Sequence, residues 1–154
     1  MPSEYIMYLS ILLVGSLAIA GISVTMIGID NTMEERAIET NLENILQNIG
    51  ETMHNLIQSG EEQITLGATS LEIQMFLTLP QKIHQQTYRI SVPSTTNSYQ
   101  LKAVLIDNLN IDVIISLFID PATITMSGII LSTSTFPSVT FLYDGVDTSI
   151  ILAG

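Results

Sequence analysis

The residue types that usually perform catalysis are few and scattered in this sequence. His54 and His84 are the only histidines, and there is no cysteine, so thiol catalysis, disulfides and cysteine metal sites are excluded. Glu51 precedes His54 by three residues, a spacing that indicates an ordinary contact on a helix surface. There is no Gly-x-Ser-x-Gly elbow and no phosphate-binding glycine loop. The sequence therefore predicts no catalytic residues, no enzyme activity and no cofactor.

Two pairs of aspartates are the remaining candidates for a chemical site. Asp107 lies near Asp112, and Asp144 lies near Asp147, each pair in a segment typical of turns. A calcium site takes several oxygen ligands from one loop, and these pairs are sparser than that. Aspartate in a turn commonly accepts hydrogen bonds from nearby backbone N–H groups. We therefore interpret the pairs as turn residues and predict no metal site.

The charge balance excludes one class of partner. The formal net charge is −11, from 15 acidic and 4 basic residues. The basic residues are scattered along the chain: Arg36, Lys82, Arg89 and Lys102. Because nucleic-acid binding depends on grouped cations that neutralise phosphates, we expect no nucleic-acid partner.

The first element that stands out is an uncharged apolar run, Tyr5–Ile29. A helix of roughly 20 apolar residues crosses the hydrocarbon core of a bilayer, so this run is long enough to do so. The preceding residues 1–4 lack the basic region of a secretory signal peptide. We expect the run to be retained, either as a membrane anchor or after the removal of a short basic leader.

Small residues interrupt the bulky ones in this run, which favours close packing of helix against helix. Ser16 and Ala20, for example, are four residues apart and lie on one helix face. We predict that the helix packs through these positions: Tyr5, Ile6, Leu9, Leu12, Leu13, Gly15, Ser16, Leu17, Ala20, Gly21, Val24, Ile27 and Gly28.

An amphipathic pattern follows over residues 30–59, and Gly60 is its predicted helix stop. Apolar residues recur at spacings of mostly three and four, with glutamates between them, as in a coiled-coil seam. The predicted seam is Met33, Ile38, Leu42, Ile45, Ile49, Met53 and Leu56. This stalk seam must be covered either by the chain's own β domain or by neighbouring chains.

Residues 61–154 read as a β-rich domain, in which β-branched runs alternate with turn residues. The candidate strands are Gln63–Leu66, Leu71–Leu79, Thr87–Val92, Gln100–Asp107, Ile111–Phe118, Ala122–Ile130, Ser138–Tyr143 and Thr148–Leu152. The near-continuous apolar stretches Val113–Phe118 and Ile150–Leu152 are predicted to be buried on both faces. The predicted fold class is α+β, with one long N-terminal helix over residues 1–60 followed by an antiparallel, sandwich-like β head over residues 61–154.

This order of parts resembles type IV pilins, and the absence of cysteine and the β-only head look most like the archaeal branch. The stretch Leu79–Ile83, followed by Tyr88–Ile90, also resembles a pattern of archaeal pilin-like proteins. The resemblance implies a leader peptidase, storage in the cell membrane before assembly, an assembly machinery and a homopolymeric filament with the helices inside. It further implies an extracellular location on the cell surface and a role in surface adhesion.

Two function classes remain open at this point. The first is the structural subunit of a helical filament, a pilin. The second is a single-span membrane protein with an exocytoplasmic β domain, either pilin-like or similar to an archaellum stator subunit. The long amphipathic stalk favours the filament, because an isolated membrane span needs no apolar seam on its aqueous extension.

Overall fold

A computed structural model describes residues 2–93, 98–108 and 110–154 of the chain, and the side chains of residues 2–7, 11, 24, 25 and 27–31 lie outside that description. The chain divides into two compact units, Met1–Ala37 and Ile38–Gly154. The first unit is helical, and the second contains a helical segment and all seven described strands.

Helix α1 spans Pro2–Thr65 and ends in a glycine cap. Gly67 has a φ of +100°, its N–H donates to the Ile64 carbonyl, and the Ala68 N–H donates to the Gln63 carbonyl. This pair of bonds satisfies carbonyls that a helix end otherwise leaves unpaired. The predicted stop at Gly60 is therefore wrong, and so is the strand predicted at Gln63–Leu66, because the cap that ends the helix comes seven residues later than Gly60.

The strands form one mixed sheet in the order β1-β6-β7-β5-β2-β3-β4. Their bounds are β1 Leu71–Phe76, β2 Tyr88–Ser91, β3 Tyr99–Leu105, β4 Asp112–Leu117, β5 Ile124–Leu131, β6 Ser138–Tyr143 and β7 Thr148–Ala153. All neighbours are antiparallel except β5 and β7, which are parallel. Seven of the eight predicted strands are confirmed within a few residues of their predicted ends.

The predicted α+β class is correct, but the predicted arrangement, one long N-terminal helix followed by an antiparallel sandwich-like head, is wrong. The strands make a single mixed sheet rather than two packed antiparallel sheets, and residues of α1 from Ile38 onward belong to the same compact unit as that sheet. A sheet needs a second layer to bury its apolar face. The amphipathic part of α1 supplies that layer, so the fold does not require a second sheet.

One face of the sheet and one side of the helix share a single core. The helical members are Ile38, Leu42, Ile45, Leu46, Ile49, Met53, Leu56 and Ile57. Alternate strand residues complete the core, as expected for side chains that point to one face: Tyr88, Ile90, Leu101, Ala103, Leu105, Leu117, Ile124, Met126, Ile130, Val139, Phe141, Ile150 and Leu152.

Two glycines allow backbone to pack where no side chain fits. A Cβ atom at Gly60 would overlap the Phe141 ring, so Gly60 lets the helix lie directly on β6. Gly128 on β5 has a φ of +116°, and a Cβ there would overlap the backbone of Leu152 on β7. Both positions therefore depend on the missing side chain.

Tyr88 is fully buried at the start of β2 and is well satisfied. Its backbone N–H donates to Ser132 Oγ at 3.1 Å, and its hydroxyl donates to the Pro80 carbonyl at 2.7 Å. Burial raises the pKa of Tyr88 to about 12. These bonds tie the loop before β2 to the core.

Candidate functional site

The histidines are not placed together as a catalytic pair. His54 is exposed on the helix beside β4, and His84 lies in a turn with a φ of 47°. Among the described residues, no group of three or more histidine or acidic side chains comes close enough to hold a metal ion.

One aspartate of each pair has a side-chain partner in the structure. Asp144 Oδ1 accepts hydrogen bonds from the N–H groups of Asp147 at 2.8 Å and Val146 at 3.0 Å. These bonds, that of Asp147 first, lower the pKa of the Asp144 carboxyl. Asp112 instead forms an ion pair with Lys102 at 2.6 Å. The interpretation of Asp144 as a turn residue is confirmed, whereas Asp112 is a strand residue with a cationic partner.

The predicted helix-packing positions that the structure describes lie on an uncovered apolar helix. Leu12, for example, is 74% exposed. The large apolar side chains left exposed between residues 8 and 26 are Tyr8, Leu9, Leu12, Leu13, Val14, Leu17, Ile19, Ile22 and Met26. Gly15, Ser16, Ala20 and Gly21 are exposed among them. The side chains of Tyr5, Ile6, Val24, Ile27 and Gly28 lie outside the described residues.

Two of the serine hydroxyls in this apolar stretch bond to the helix itself. Ser16 Oγ donates to the Leu13 carbonyl and Ser23 Oγ to the Ile19 carbonyl, each at 2.9 Å. A serine bonded in this way presents little polarity to a neighbour. The stretch from Tyr8 to Met26 is thus apolar in its outward chemistry even at these two serines.

The residues of the predicted stalk seam are buried from Ile38 onward, whereas Met33 is exposed. Ile38, Leu42, Ile45, Ile49, Met53 and Leu56 are buried in the core that the helix shares with the sheet. Met33, which belongs to the other compact unit, is 66% exposed. Of the two covers that the sequence left open, the chain's own β domain covers the seam from Ile38 onward.

An open cleft lies between the helix and strand β4. Its volume is about 530 Å³, and its walls are Gln47, Gly50, Glu51, His54 and Asn55 from the helix and residues 115–119 from the strand side. The strand wall is mostly apolar, and Phe118 at its end is fully exposed. The prediction that Val113–Phe118 is buried on both faces is wrong, because β4 is an edge strand with Ile114 about half exposed.

Sequence reasoning missed this edge because an edge strand and an internal strand can share the same apolar composition. The flanking residues indicated an edge strand only weakly. Asp112 precedes the run and the Asp120-Pro121 turn follows it, so a charge or a proline stands at each end. Such brackets occur at the ends of internal strands as well. Only the strand order identifies β4 as an edge.

Comparisons with known proteins return no relatives: the chain matches no protein family model, no curated protein and no solved structure. Within the residues that the structure describes, no helical stretch combines the length and hydropathy of a membrane span.

Proposed function

We propose that this chain is the structural subunit of an extracellular filament, a pilin-like protein that polymerises through the apolar part of α1. The observation that carries the proposal is the uncovered apolar surface between Tyr8 and Met26. Soluble monomers rarely leave a contiguous apolar surface of this kind open, and such surfaces mark contacts with other macromolecules or with lipid.

The exposed side chains surround the helix rather than forming one stripe. At about 100° per residue, Tyr8 and Met26 point in one direction and Leu17 in the opposite one. Leu9 and Val14 point to the two remaining sides, and all five are exposed. A single neighbouring helix would cover only one side. The surface is therefore suited to several neighbours at once, as in the core of a helical bundle.

Small residues favour helices as those neighbours. A Cβ atom placed on Gly15 or Gly21 would meet nothing within 4 Å, so another backbone can approach the helix closely at either point. Close approach at glycine and serine is typical of helices packed without water between them. Contact with lipid chains does not require glycine at these positions, because no backbone has to approach the helix closely.

The energy available is sufficient for assembly. Burying a large apolar side chain stabilises by about 1.5–3 kcal/mol, so the nine exposed ones would supply on the order of 15–25 kcal/mol. Association costs roughly 4–15 kcal/mol. If the contacts between copies follow a rotation that does not close, the product is a fibre.

The acidic sheet unit then forms the outer surface of the filament. The formal charge of the chain is −11, and the run Tyr5–Ile29 contributes no charge to it. A strongly charged exterior keeps such polymers soluble and resists non-specific contact. Surface adhesion, the cell-surface location and storage in the membrane before assembly are the parts of the proposal that rest on the resemblance to archaeal pilins.

Electron microscopy after detergent removal tests the proposal. We expect the full chain to form long fibres of uniform width. Leu12→Lys should abolish them, because a lysine within the packed helices would bury an unpaired charge. Phe136→Lys is the matched control, since Phe136 is equally exposed but lies in a loop of the sheet unit, and it should leave the fibres unchanged.

Two results would count against the filament. One is wild-type chain that remains a detergent-bound monomer or small oligomer under every condition that removes free detergent. The other is quantitative insertion into lipid vesicles without fibres, which would favour the single-span membrane protein instead.

A further inference from the structure

The sheet ends in two open edges, β1 on one side and β4 on the other. Within the described ranges, no strand pairs with the outer side of either. Natural proteins usually protect such edges with charge, proline or a bulge. The run Val113–Ile119 has no charged residue, no proline and no glycine, and the Asp112 carboxylate before it is paired with Lys102. Strand β4 is therefore an unprotected edge.

Hydrogen bonds within the sheet fix which backbone groups of β4 face outward. The Leu105 N–H donates to the Ile111 carbonyl, so this pair of residues is hydrogen-bonded across β3 and β4. Because hydrogen-bonded positions alternate along an antiparallel pair, the odd-numbered residues of β4 point their backbone groups at β3. The N–H and C=O groups of Ile114 and Ser116 point to the open edge.

The same reasoning applies to β1. The Leu77 N–H donates to the Pro137 carbonyl at 2.8 Å, which places the odd-numbered residues of β1 toward β6. The backbone groups of Glu72, Gln74 and Phe76 therefore point outward. Each edge offers its bonds at even-numbered positions, and at both edges the side chains of these positions lie on the sheet face away from the shared core.

The directions of the two edges also fit each other. Following the pairings from strand to strand, β1 and β4 run antiparallel within one sheet. Two copies in the same orientation can therefore place β4 of one beside β1 of the other as an antiparallel pair. The residues whose backbone groups point to the open edge have their side chains on the face away from the core in both strands. Pairing the two strands therefore leaves the helix on the same side of the sheet in both copies.

We propose that β4 of one copy pairs with β1 of a second copy, so that the sheet continues from molecule to molecule. The register that continues the cross-strand rows without a shift sets Ile114 opposite Phe76 and Ser116 opposite Gln74. The row that fixes this register runs Ile114, Lys102, Ser91, Ile129, Ala153, Ser138, Phe76. The occupant of each edge is thus the opposite edge of another copy.

The side chains match in this register. Phe76 is 64% exposed and Ile114 49% exposed, so their pairing removes apolar surface from water on the outer face. On the other face, Met75 is 42% exposed and stands opposite Ile115, which lines the cleft beside β4. The cleft of about 530 Å³ is therefore positioned to receive the Met75 side chain of the incoming strand.

The charges also fit this pair of edges. Glu72 stands opposite Phe118, and Asp112 stands opposite Thr78, so no two carboxylates face each other. Pairing β4 with a second β4 centred on Ser116 would instead oppose Asp112 with Asp120, and like charges directly opposite each other destabilise a sheet. The pairing of β4 with β1 is head-to-tail, uses two different surfaces and leaves one of each free, so it propagates.

Cysteine cross-linking tests the contact, because the natural chain has no cysteine. Full-length Ile114→Cys and Phe76→Cys variants are mixed and oxidised in mild detergent, which covers the apolar helix and makes the result independent of fibre formation. We expect a disulfide-linked dimer in the mixture and none with either variant alone. Phe136→Cys mixed with Ile114→Cys is the control and should give no dimer.

A dimer of Ile114→Cys alone would overturn the proposal in favour of a β4–β4 contact centred on Ile114, a register in which Asp112 stands opposite Ser116 rather than opposite another carboxylate. Absence of any dimer would overturn it outright, and equal cross-linking with the Phe136→Cys control would show that the contact is not specific. Ser116→Pro provides a second measurement in the mixture. It removes an outward-facing N–H while leaving the bonds to β3, so it should abolish the cross-link without unfolding the chain.

Discussion

Two stretches of helix α1 differ in where their apolar side chains lie and in whether they are buried. Between Ile38 and Ile57 they lie on one side and enter the core beneath the sheet. Between Tyr8 and Met26 they lie on all sides and stay exposed. The first stretch is amphipathic, so a single sheet face satisfies it, whereas no single face can satisfy the second. The distribution of apolar residues around the helix therefore decides whether a stretch folds within its own chain or requires other molecules.

The largest expected effect is on the buried stretch of α1. Leu46→Ala should lower the free energy of unfolding by about 2–5 kcal/mol, because Leu46 is fully buried and its truncation leaves a cavity. Leu12→Ala is the matched control, and it should leave that free energy unchanged because Leu12 is exposed. Urea unfolding in mild detergent, followed by near-ultraviolet circular dichroism of the tyrosines, measures both. Equal losses in the two variants would contradict the comparison.

Two glycine substitutions test how closely the helix approaches the sheet. Gly60→Ala should destabilise by about 1–3 kcal/mol, because the new methyl group meets the Phe141 ring in a filled core. At Gly50 the nearest atom is the flexible end of Leu117 at 3.4 Å. Gly50→Ala should be neutral or stabilise by about 0.5–1 kcal/mol. Chemical denaturation of both variants decides this, and a Gly60→Ala protein as stable as Gly50→Ala would refute the close contact.

The exposed stretch has its own glycine test. Gly21→Leu should leave the sheet unit intact, because Gly21 lies in the other compact unit and a Cβ atom placed there meets nothing within 4 Å. It should raise the concentration needed for fibre formation about tenfold or more if helices pack closely at this point, which corresponds to about 1.4 kcal/mol. Sedimentation of fibres across a concentration series measures the threshold. Ser16→Ala is the control with little expected effect, since the Ser16 hydroxyl bonds to its own helix.

The smallest expected effect on stability concerns Tyr88 at the start of β2. Its pKa is raised to about 12 in the folded chain, against roughly 10 for an unperturbed tyrosine. The stability linked to this group is complete below pH ~10 and is lost as the pH rises toward 12. Tyr88→Phe should cost about 1 kcal/mol at pH 7 through the lost bond to Pro80. The variant should also lose less stability than the wild type between pH ~9 and ~11, and parallel alkaline curves would contradict this.

Local patterns were sufficient for most elements of the fold. Ser138–Tyr143 was predicted with the bounds that β6 has, and six further strands lie where β-branched residues alternate between turns. The strand predicted at Gln63–Leu66 is wrong because four residues that alternate between polar and apolar do not reveal that the helix is capped only at Gly67. Local sequence also could not reveal whether the sheet folds onto a second sheet or onto the helix, since both partners present an apolar face.

The candidate site was partly predictable for the same reason. The lack of charge from Tyr5 to Ile29 already indicated a surface that must be covered, because it is a property of composition. The cover of the seam at Leu42 and Met53 and the open edge at Ile114 depend on strand order, which joins residues far apart in the chain. Such long-range pairings leave little trace in a single sequence.

In the proposed filament, other copies of the chain cover the helix between Tyr8 and Met26. The most direct measurement is excimer fluorescence of the full chain carrying Leu17→Cys labelled with pyrene, recorded before and after the detergent is removed. We predict strong excimer emission once the detergent is gone, with none when the label is placed at Val146→Cys in an exposed turn. Monomer emission alone, with the Leu17 label shielded from water by added lipid vesicles, would contradict the claim.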